Sequence, residues 1–220
     1  MTELVLAVNR LELVAQGIVG NGIFPFDLYS LKQDNYALLP RSFADNKSPS
    51  ALELGKLFPQ ILGYFQLMYE GKIFVYQRKG KEEGLLGKWS IGVGGHVSHE
   101  DIEDFVGEVN TAYPPIAELI YEGAKRELWE EICLRLASHS VLWTNGKFNT
   151  HANRLIHTDV DPTSAVHVGI PVTIELSKKE FEGLKLNPAE FRNVKWIEPH
   201  LLKVAGLELE TWSQLLVDAM

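Results

Sequence analysis

Three glutamates in one short stretch carry the strongest chemical signal in the chain. The segment from Lys125 to Ile132 reads KRELWEEI. Glu127, Glu130 and Glu131 stand at i, i+3 and i+4, so a helix places them on one face. Tyr121, Ala124, Leu128 and Ile132 recur at the helical period and form an apolar stripe. The carboxylates border that stripe, which puts them at the edge of a core rather than far out in solvent. Like charges this close do nothing for helix stability, whereas an oxygen-rich anionic cluster suits a hard cation such as Mg²⁺ or Mn²⁺. A solvated acidic face paired with Lys125 and Arg126 is the plain alternative. Glu122 lies on the same helix and is expected to point away from the cluster.

The elements around this helix must bring it a partner. Trp89 to Val97 reads WSIGVGGHV, a short strand running into the pair Gly94-Gly95. Glycine lets backbone approach a ligand closely, and its carbonyl can serve as a metal ligand. A strand, a glycine turn and a carboxylate helix would make a cation cradle able to recruit an anionic substrate.

The rest of the chain reads as strands and short helices. Residues 4–8, Tyr36 to Leu39, Arg154 to His157, Val166 to Leu176 and Phe191 to Ile197 are strand-like, as is Val141 to Trp143. Ile61 to Tyr69 and Lys72 to Arg78 form a hairpin around Glu70-Gly71. Gly17 to Pro25 is turn-rich around Asn21-Gly22. Ser50 serves as N-cap for the helix ALELGKLF, stopped by Pro59, and Pro114-Pro115 opens the carboxylate helix. From Pro199 onward the chain is mostly helical. Strands flanking one strong helix, with more helix at the end, predict an α+β or layered α/β/α domain with a mixed central sheet between helices. Residues 1–60 read as an N-terminal extension packed on a main domain of residues 61–220.

Composition narrows the function classes. The chain has 220 residues, with 21 Lys plus Arg against 29 Asp plus Glu, a formal charge of -8. Such a chain has no overall field that attracts nucleic acid or an anionic membrane. Cys133 is the single cysteine, so no intrachain disulfide forms, which fits a reducing compartment. The opening segment lacks a basic region followed by an apolar run, and no stretch reaches the length of a membrane span. The expectation is a soluble cytoplasmic protein without nucleic-acid or membrane partners.

These motifs resemble the Nudix (MutT-like) hydrolases. Their signature is Gly, five residues, Glu, seven residues, Arg-Glu, an aliphatic residue, any residue, Glu-Glu, any residue, Gly and an aliphatic residue. Here Glu118 is followed by seven residues and then Arg126-Glu127, Leu128, Trp129, Glu130-Glu131, Ile132, Cys133 and Leu134. Cys133 stands where the pattern has its last glycine, so a different exit from the helix is expected. The family's glycine turn is similar to Gly94-Gly95, but about 17 residues are inserted before Glu118. Residues 98–117 are expected to form a loop or short helical excursion beside the site.

The resemblance implies an α/β/α sandwich and a divalent-metal-dependent hydrolase of phosphoanhydride bonds, acting on a small-molecule diphosphate such as a nucleoside diphosphate linked to another group. It implies Mg²⁺ (or Mn²⁺) held by Glu127, Glu130, Glu131 and the Gly95 carbonyl, with Arg126 orienting a carboxylate. A late-loop acid, Glu190, fits the family's additional acidic position, and Glu130, Glu131 or Glu190 would take the proton. Glu118 and Asp101 compete for the box's first acid: Glu118 has the right distance to Arg126, and Asp101 stands six residues after Gly95. His96 follows the turn and is a candidate to face substrate. Two rival readings stay open, a Nudix-fold binding or regulatory module without turnover and an isopentenyl-diphosphate-isomerase-like enzyme, for which Cys133 is wrongly placed. In any of these, residues 1–60 could mediate a homodimer or select substrate.

Overall fold

The computed structural model describes residues 3–27, 31, 33–44, 48–79, 84–103, 116–136, 148–150 and 154–220. At its centre lies β4 (Gln60–Tyr69), whose sequence QILGYFQLMY is apolar on both faces, as a strand covered on both sides requires. Along one edge β4 runs parallel to β10 (His167–Glu175) from Gln60 to Met68. Along the other it pairs antiparallel with β7 (Val93–His96), and at its far end with β5 (Lys72–Arg78). Glu70 and Gly71 both take positive φ, 47° and 73°, the left-handed pair that a two-residue hairpin turn needs. The sheet path among the described residues is β11 (Phe191–Ile197), β5, β4, β10, β9 (Arg154–His157), β2 (Gly22–Pro25), and off that path β8 (Phe148–Thr150) pairs antiparallel with β10.

Residues 1–60 enter this same sheet. β1 (Leu4–Val8) pairs with β3 (Tyr36–Pro40) and touches β4 at Ala7–Gln60. Gly22 to Pro25, read from sequence as part of a turn, is a strand, because its backbone finds a free edge on β9. The first helices are α1 (Arg10–Ala15) and α2 (Pro49–Leu57); the N-cap of α2 is Ser48 rather than Ser50, its hydroxyl accepting from Ala51 N–H at 3.2 Å. The segment read as one strand from Trp89 splits into β6 (Trp89–Ser90) and β7. Val141 to Trp143 and Pro114-Pro115 lie outside the described residues.

Two helices cover opposite faces. The carboxylate helix, α3 (Ile116–Ile132), buries Tyr121, Ala124, Leu128 and Ile132 against Phe65, Phe74, Tyr76 and Val93. The last helix, Thr211–Asp218, packs Trp212, Leu216 and Val217 against Tyr64, Ile73, Val75 and Ile91 on the other side. The mixed sheet between helices is therefore present. Among the described residues no helix is long and apolar enough to cross a membrane.

Both ends of α3 depart from the simple reading. At its C-terminus Cys133 takes φ 54°, so the left-handed exit that favours glycine is made here by a cysteine. The helix still ends with a wrap-around bond, Leu134 N–H to Leu128 C=O at 3.1 Å, and Cys133 itself is half-buried. Near the N-terminus Glu122 does not point away into water. Its side chain is 5% exposed and pairs with Lys125 Nζ at 2.6 Å, and burial beside Glu122 raises the Glu118 carboxyl from its usual 4.5 to about 7.

Two outcomes follow from these ends. A left-handed non-glycine residue costs about 1–2 kcal/mol, partly offset by the chain entropy that glycine loses on folding. Cys133→Gly should therefore raise stability by up to about 1 kcal/mol, a melting-temperature gain of roughly 2–4 °C in a chain of this size. A lowered melting temperature would mean that cysteine packing outweighs the strain. For Glu118, a folded-state pKa above the unfolded one means the folded chain binds the proton more tightly. That contribution is fully present below about pH 4.5 and is lost as pH rises through about 7. Glu118→Gln should then melt with wild type at pH 4.5 and a few degrees above it at pH 8. Identical curves at both pH values would contradict the burial argument.

Candidate active site

The glycine turn and α3 meet in direct contact. A Cβ placed on Gly95 would stand 2.6 Å from Glu127 Cγ and 2.9 Å from its Cβ. Only glycine allows the Glu127 side chain to lie on the strand in this way. One turn earlier, a Cβ on Gly123 would come 2.8 Å from the His96 carbonyl oxygen, so this second glycine lets α3 rest on β7.

Arg126 locks the arrangement. Its Nε donates to Asp101 Oδ1 at 2.9 Å and its Nη2 to Oδ2 at 3.1 Å, a two-pronged grip on one carboxylate. Nη2 also donates to the His96 carbonyl at 3.1 Å. Nη1 lies 3.1 Å from Glu127 Oε1 and 3.6 Å from Glu130 Oε2. Burial disfavours the guanidinium, but the hydrogen bond to Asp101 and the charges of Glu127 and Asp101 outweigh it and hold Arg126 protonated. Asp101 is itself built in. Residues 99–103 are helical, and Ser98 and Asp101 make a reciprocal cap, with Ser98 N–H to Asp101 Oδ2 at 2.7 Å and Asp101 N–H to Ser98 Oγ at 3.4 Å. The Ser-x-x-Asp spacing of this cap is legible in the sequence and was the available signal for it.

Each candidate can now be placed. Asp101, not Glu118, is the acid brought to Arg126. Glu118 lies beside Glu122, and nine residues of helix put it on the flank opposite Glu127. Burial pushes the Glu127 carboxyl above the usual range while Arg126 pulls it down. Glu130 is more exposed, at 56%. Glu131 is half-buried, at the end of the helix where its carbonyl accepts Asn187 N–H at 2.8 Å. That bond draws in the 187–190 loop, which carries Glu190; the Glu190 carbonyl accepts Lys79 N–H at 3.0 Å. His96 does not face the carboxylates. Since Gly95 meets α3, the next side chain along the strand turns to the other face, where its ring lies 5.5 Å from that of His167. Burial holds the His96 imidazole well below its usual pKa, helped by His167, Arg41 and Arg126.

Whether these residues fit a divalent cation can be tested on their donors. The set is all oxygen, and Gly95 backbone touches Glu127, whose side chain is more enclosed than that of Glu130. An all-oxygen set beside a backbone carbonyl suits Mg²⁺ or Mn²⁺. Among the described residues no three acidic or histidine side chains already converge as a metal cluster, and Arg126 stands between Glu127 and Glu130 in the cation's stead. The exposed Glu130 side chain is free to turn, so the donor set fits the ion by rotation of side chains on a fixed backbone.

No protein-family model matches the sequence, and comparison with the curated proteins finds no match. The solved structures do match. The chain is similar to the crystal structure of Tm1382, a protein classed by inference with the Nudix hydrolases, at a TM-score of 0.62 and 18% identity, covering 98% of this chain and 97% of that one. It is also similar to a Nudix hydrolase from Alicyclobacillus acidocaldarius, at a TM-score of 0.50 and 14% identity, covering 73% of this chain and 90% of that one. The architecture is the Nudix fold, and the likeness to Tm1382 spans nearly the whole chain.

Proposed function

We propose that this chain is a divalent-metal-dependent hydrolase of a diphosphate bond, with a small-molecule substrate such as a nucleoside diphosphate linked to a second group. The observation that carries the reading is the seat of Glu127 on Gly95, inside a Nudix fold, with Glu130 and Glu131 on the same helix face. In this reading Gly95 C=O, Glu127, Glu130 and Glu131 hold Mg²⁺ or Mn²⁺. The bound ion supplies charge neutralisation of the diphosphate and a lowered pKa for the attacking water.

The chain's own groups do the rest. Arg126, gripped by Asp101, holds the Glu127 carboxylate in one orientation, so that entry of the ion would call for rotation of side chains and not for a backbone shift. Glu130, Glu131 and Glu190 are the bases in reach of the site. Glu190 is half-buried and comes from a loop tied by its backbone to both α3 and β5. A carboxylate there would take the proton from water as the new phosphorus–oxygen bond forms and the bridging phosphorus–oxygen bond of the diphosphate breaks, the second phosphate leaving with the bridging oxygen. A second reading, a ligand-binding module without turnover, is favoured by the lack of a converged donor cluster among the described residues. Neither the half-buried Cys133, at the far end of α3, nor His96, turned away from the carboxylates, supports the isomerase-like alternative.

Glu131→Gln separates these readings. The substitution keeps size and removes one charge from an acidic cluster, so stability without metal should be unchanged or slightly higher. The rise in melting temperature on adding Mg²⁺ or Mn²⁺ should shrink. Phosphate release from an active diphosphate substrate should fall at least ~100-fold, since metal catalysis supplies several kcal/mol. Glu122 is buried and paired, so the proper control is Glu182→Gln, in an exposed i,i+4 pair with Lys178 that contributes little. A metal-induced shift in wild type without hydrolysis of any diphosphate would establish the binding module. An equal shift in Glu131→Gln would return the glutamates to a solvated helix face.

A further inference from the structure

The outer flank of α3 carries a cavity that the proposed reaction does not use. Glu122, Lys125, Arg126 and Trp129 stand at i, i+3, i+4 and i+7 and share one stripe of the helix. Together with Glu100, on the helical turn of residues 99–103, and with Arg135 and Leu136 just past the helix exit, they line a space of about 370 Å³. That is room for a small molecule. Glu127, Glu130 and Glu131 are not part of its lining, and Arg126 is the wall it shares with the carboxylate rim.

Most of the charge around this space is already matched. Asp101 pairs with Arg126 at 2.9 Å, and Glu122 with Lys125 at 2.6 Å. Glu100 and Arg135 remain, and both are exposed. Among the described residues the Arg135 guanidinium meets no carboxylate. Its central carbon lies 4.3 Å from the centroid of the Trp129 ring. The Trp129 side chain is itself 43% exposed, so indole and guanidinium both offer a flat surface to the cavity. One free cation and one free carboxylate give an inorganic anion no net attraction. They do suit a neutral flat ring with donors and acceptors on its edge. Such rings stack on aromatic side chains and on guanidinium planes. Carboxylates accept from exocyclic amino groups, and a guanidinium donates to ring nitrogens and carbonyl oxygens.

We infer that this cavity is a binding site for a nucleobase, which stacks on the Trp129 and Arg135 pair while Glu100 accepts from an exocyclic amino group. The site needs no metal and none of the rim carboxylates, so it goes beyond the hydrolase reading and does not rest on it. Through Arg126 its occupant lies against the clamp that holds Glu127.

The test uses the full chain with a metal chelator present, and labelled adenosine in equilibrium dialysis. Wild type should bind adenosine and not ribose, which lacks the ring. Trp129→Ala should bind adenosine at least ~10-fold more weakly, as loss of one base-stacking side chain does, and Trp129→Phe should recover most of the loss. Arg135→Ala should also weaken binding, and Arg135→Lys, which keeps the charge without the plane, should recover only part. Both side chains are exposed, so melting temperatures should stay at the wild-type value. Lys195→Ala, which removes the cation 4.6 Å over the Trp89 ring elsewhere in the fold, should bind as wild type. Adenosine that raises only the KM of an active diphosphate substrate marks the cavity as the place of that substrate's own base; adenosine without effect on KM marks a separate ligand. Failure of wild type to bind adenosine, equal binding by wild type and Trp129→Ala, or an equal loss in Lys195→Ala overturns the site and leaves the hydrolase reading standing.

Discussion

One ion pair holds the candidate site in shape. Asp101 is 4% exposed and would be costly to bury alone. It is fixed from one side by the cap at Ser98 and gripped from the other by Arg126. Because Arg126 also binds the His96 carbonyl, the fork ties three things at once: the segment after the glycine turn, the end of β7 and the middle of α3. Loss of Arg126 would leave the buried Asp101 carboxylate without its counter-ion. The approach of Gly95 to Glu127 is held by this clamp together with the apolar stripe of α3 packed on the sheet.

A second buried network supports the sheet from behind. Glu210 caps the last helix, accepting from Trp212 N–H at 2.8 Å and Ser213 N–H at 2.9 Å, and it accepts the Tyr64 hydroxyl at 2.5 Å. Tyr64 also meets Ser90 at 2.9 Å, and Ser90 donates to the Gly92 carbonyl at 2.9 Å. That carbonyl is the one Tyr76 uses on the opposite face. The approach to the glycine turn is thus braced from both layers, and fully satisfied buried polar groups rigidify rather than loosen a core. In the proposed hydrolase reading such rigidity helps, because little ordering remains for a ligand to drive.

Much was legible in the sequence because it depends on local periodicity. The stripe of Tyr121, Ala124, Leu128 and Ile132, the β4–β5 hairpin and the strands Arg154 to His157 and Phe191 to Ile197 follow from spacing and turn chemistry within a few residues. So do the shared helix face of Glu127, Glu130 and Glu131 and the layered α/β/α plan.

Other features required contacts between distant segments. Glu118 had the box spacing and Asp101 was its rival; the fold brings Asp101, not Glu118, to Arg126, a pairing 25 residues apart. Glu122, expected to point away from the cluster, is buried and paired with Lys125, which no local pattern announced. Cys133 was expected to change the helix exit, yet the surrounding contacts impose the left-handed turn whatever the residue. The strand at Gly22 to Pro25 exists because β9 offers an edge, which no local pattern announces. Sequence determined which residues repeat and on which face; tertiary structure decided which faces meet, because a hydrogen bond or ion pair between remote segments forms only where the fold has already brought them together.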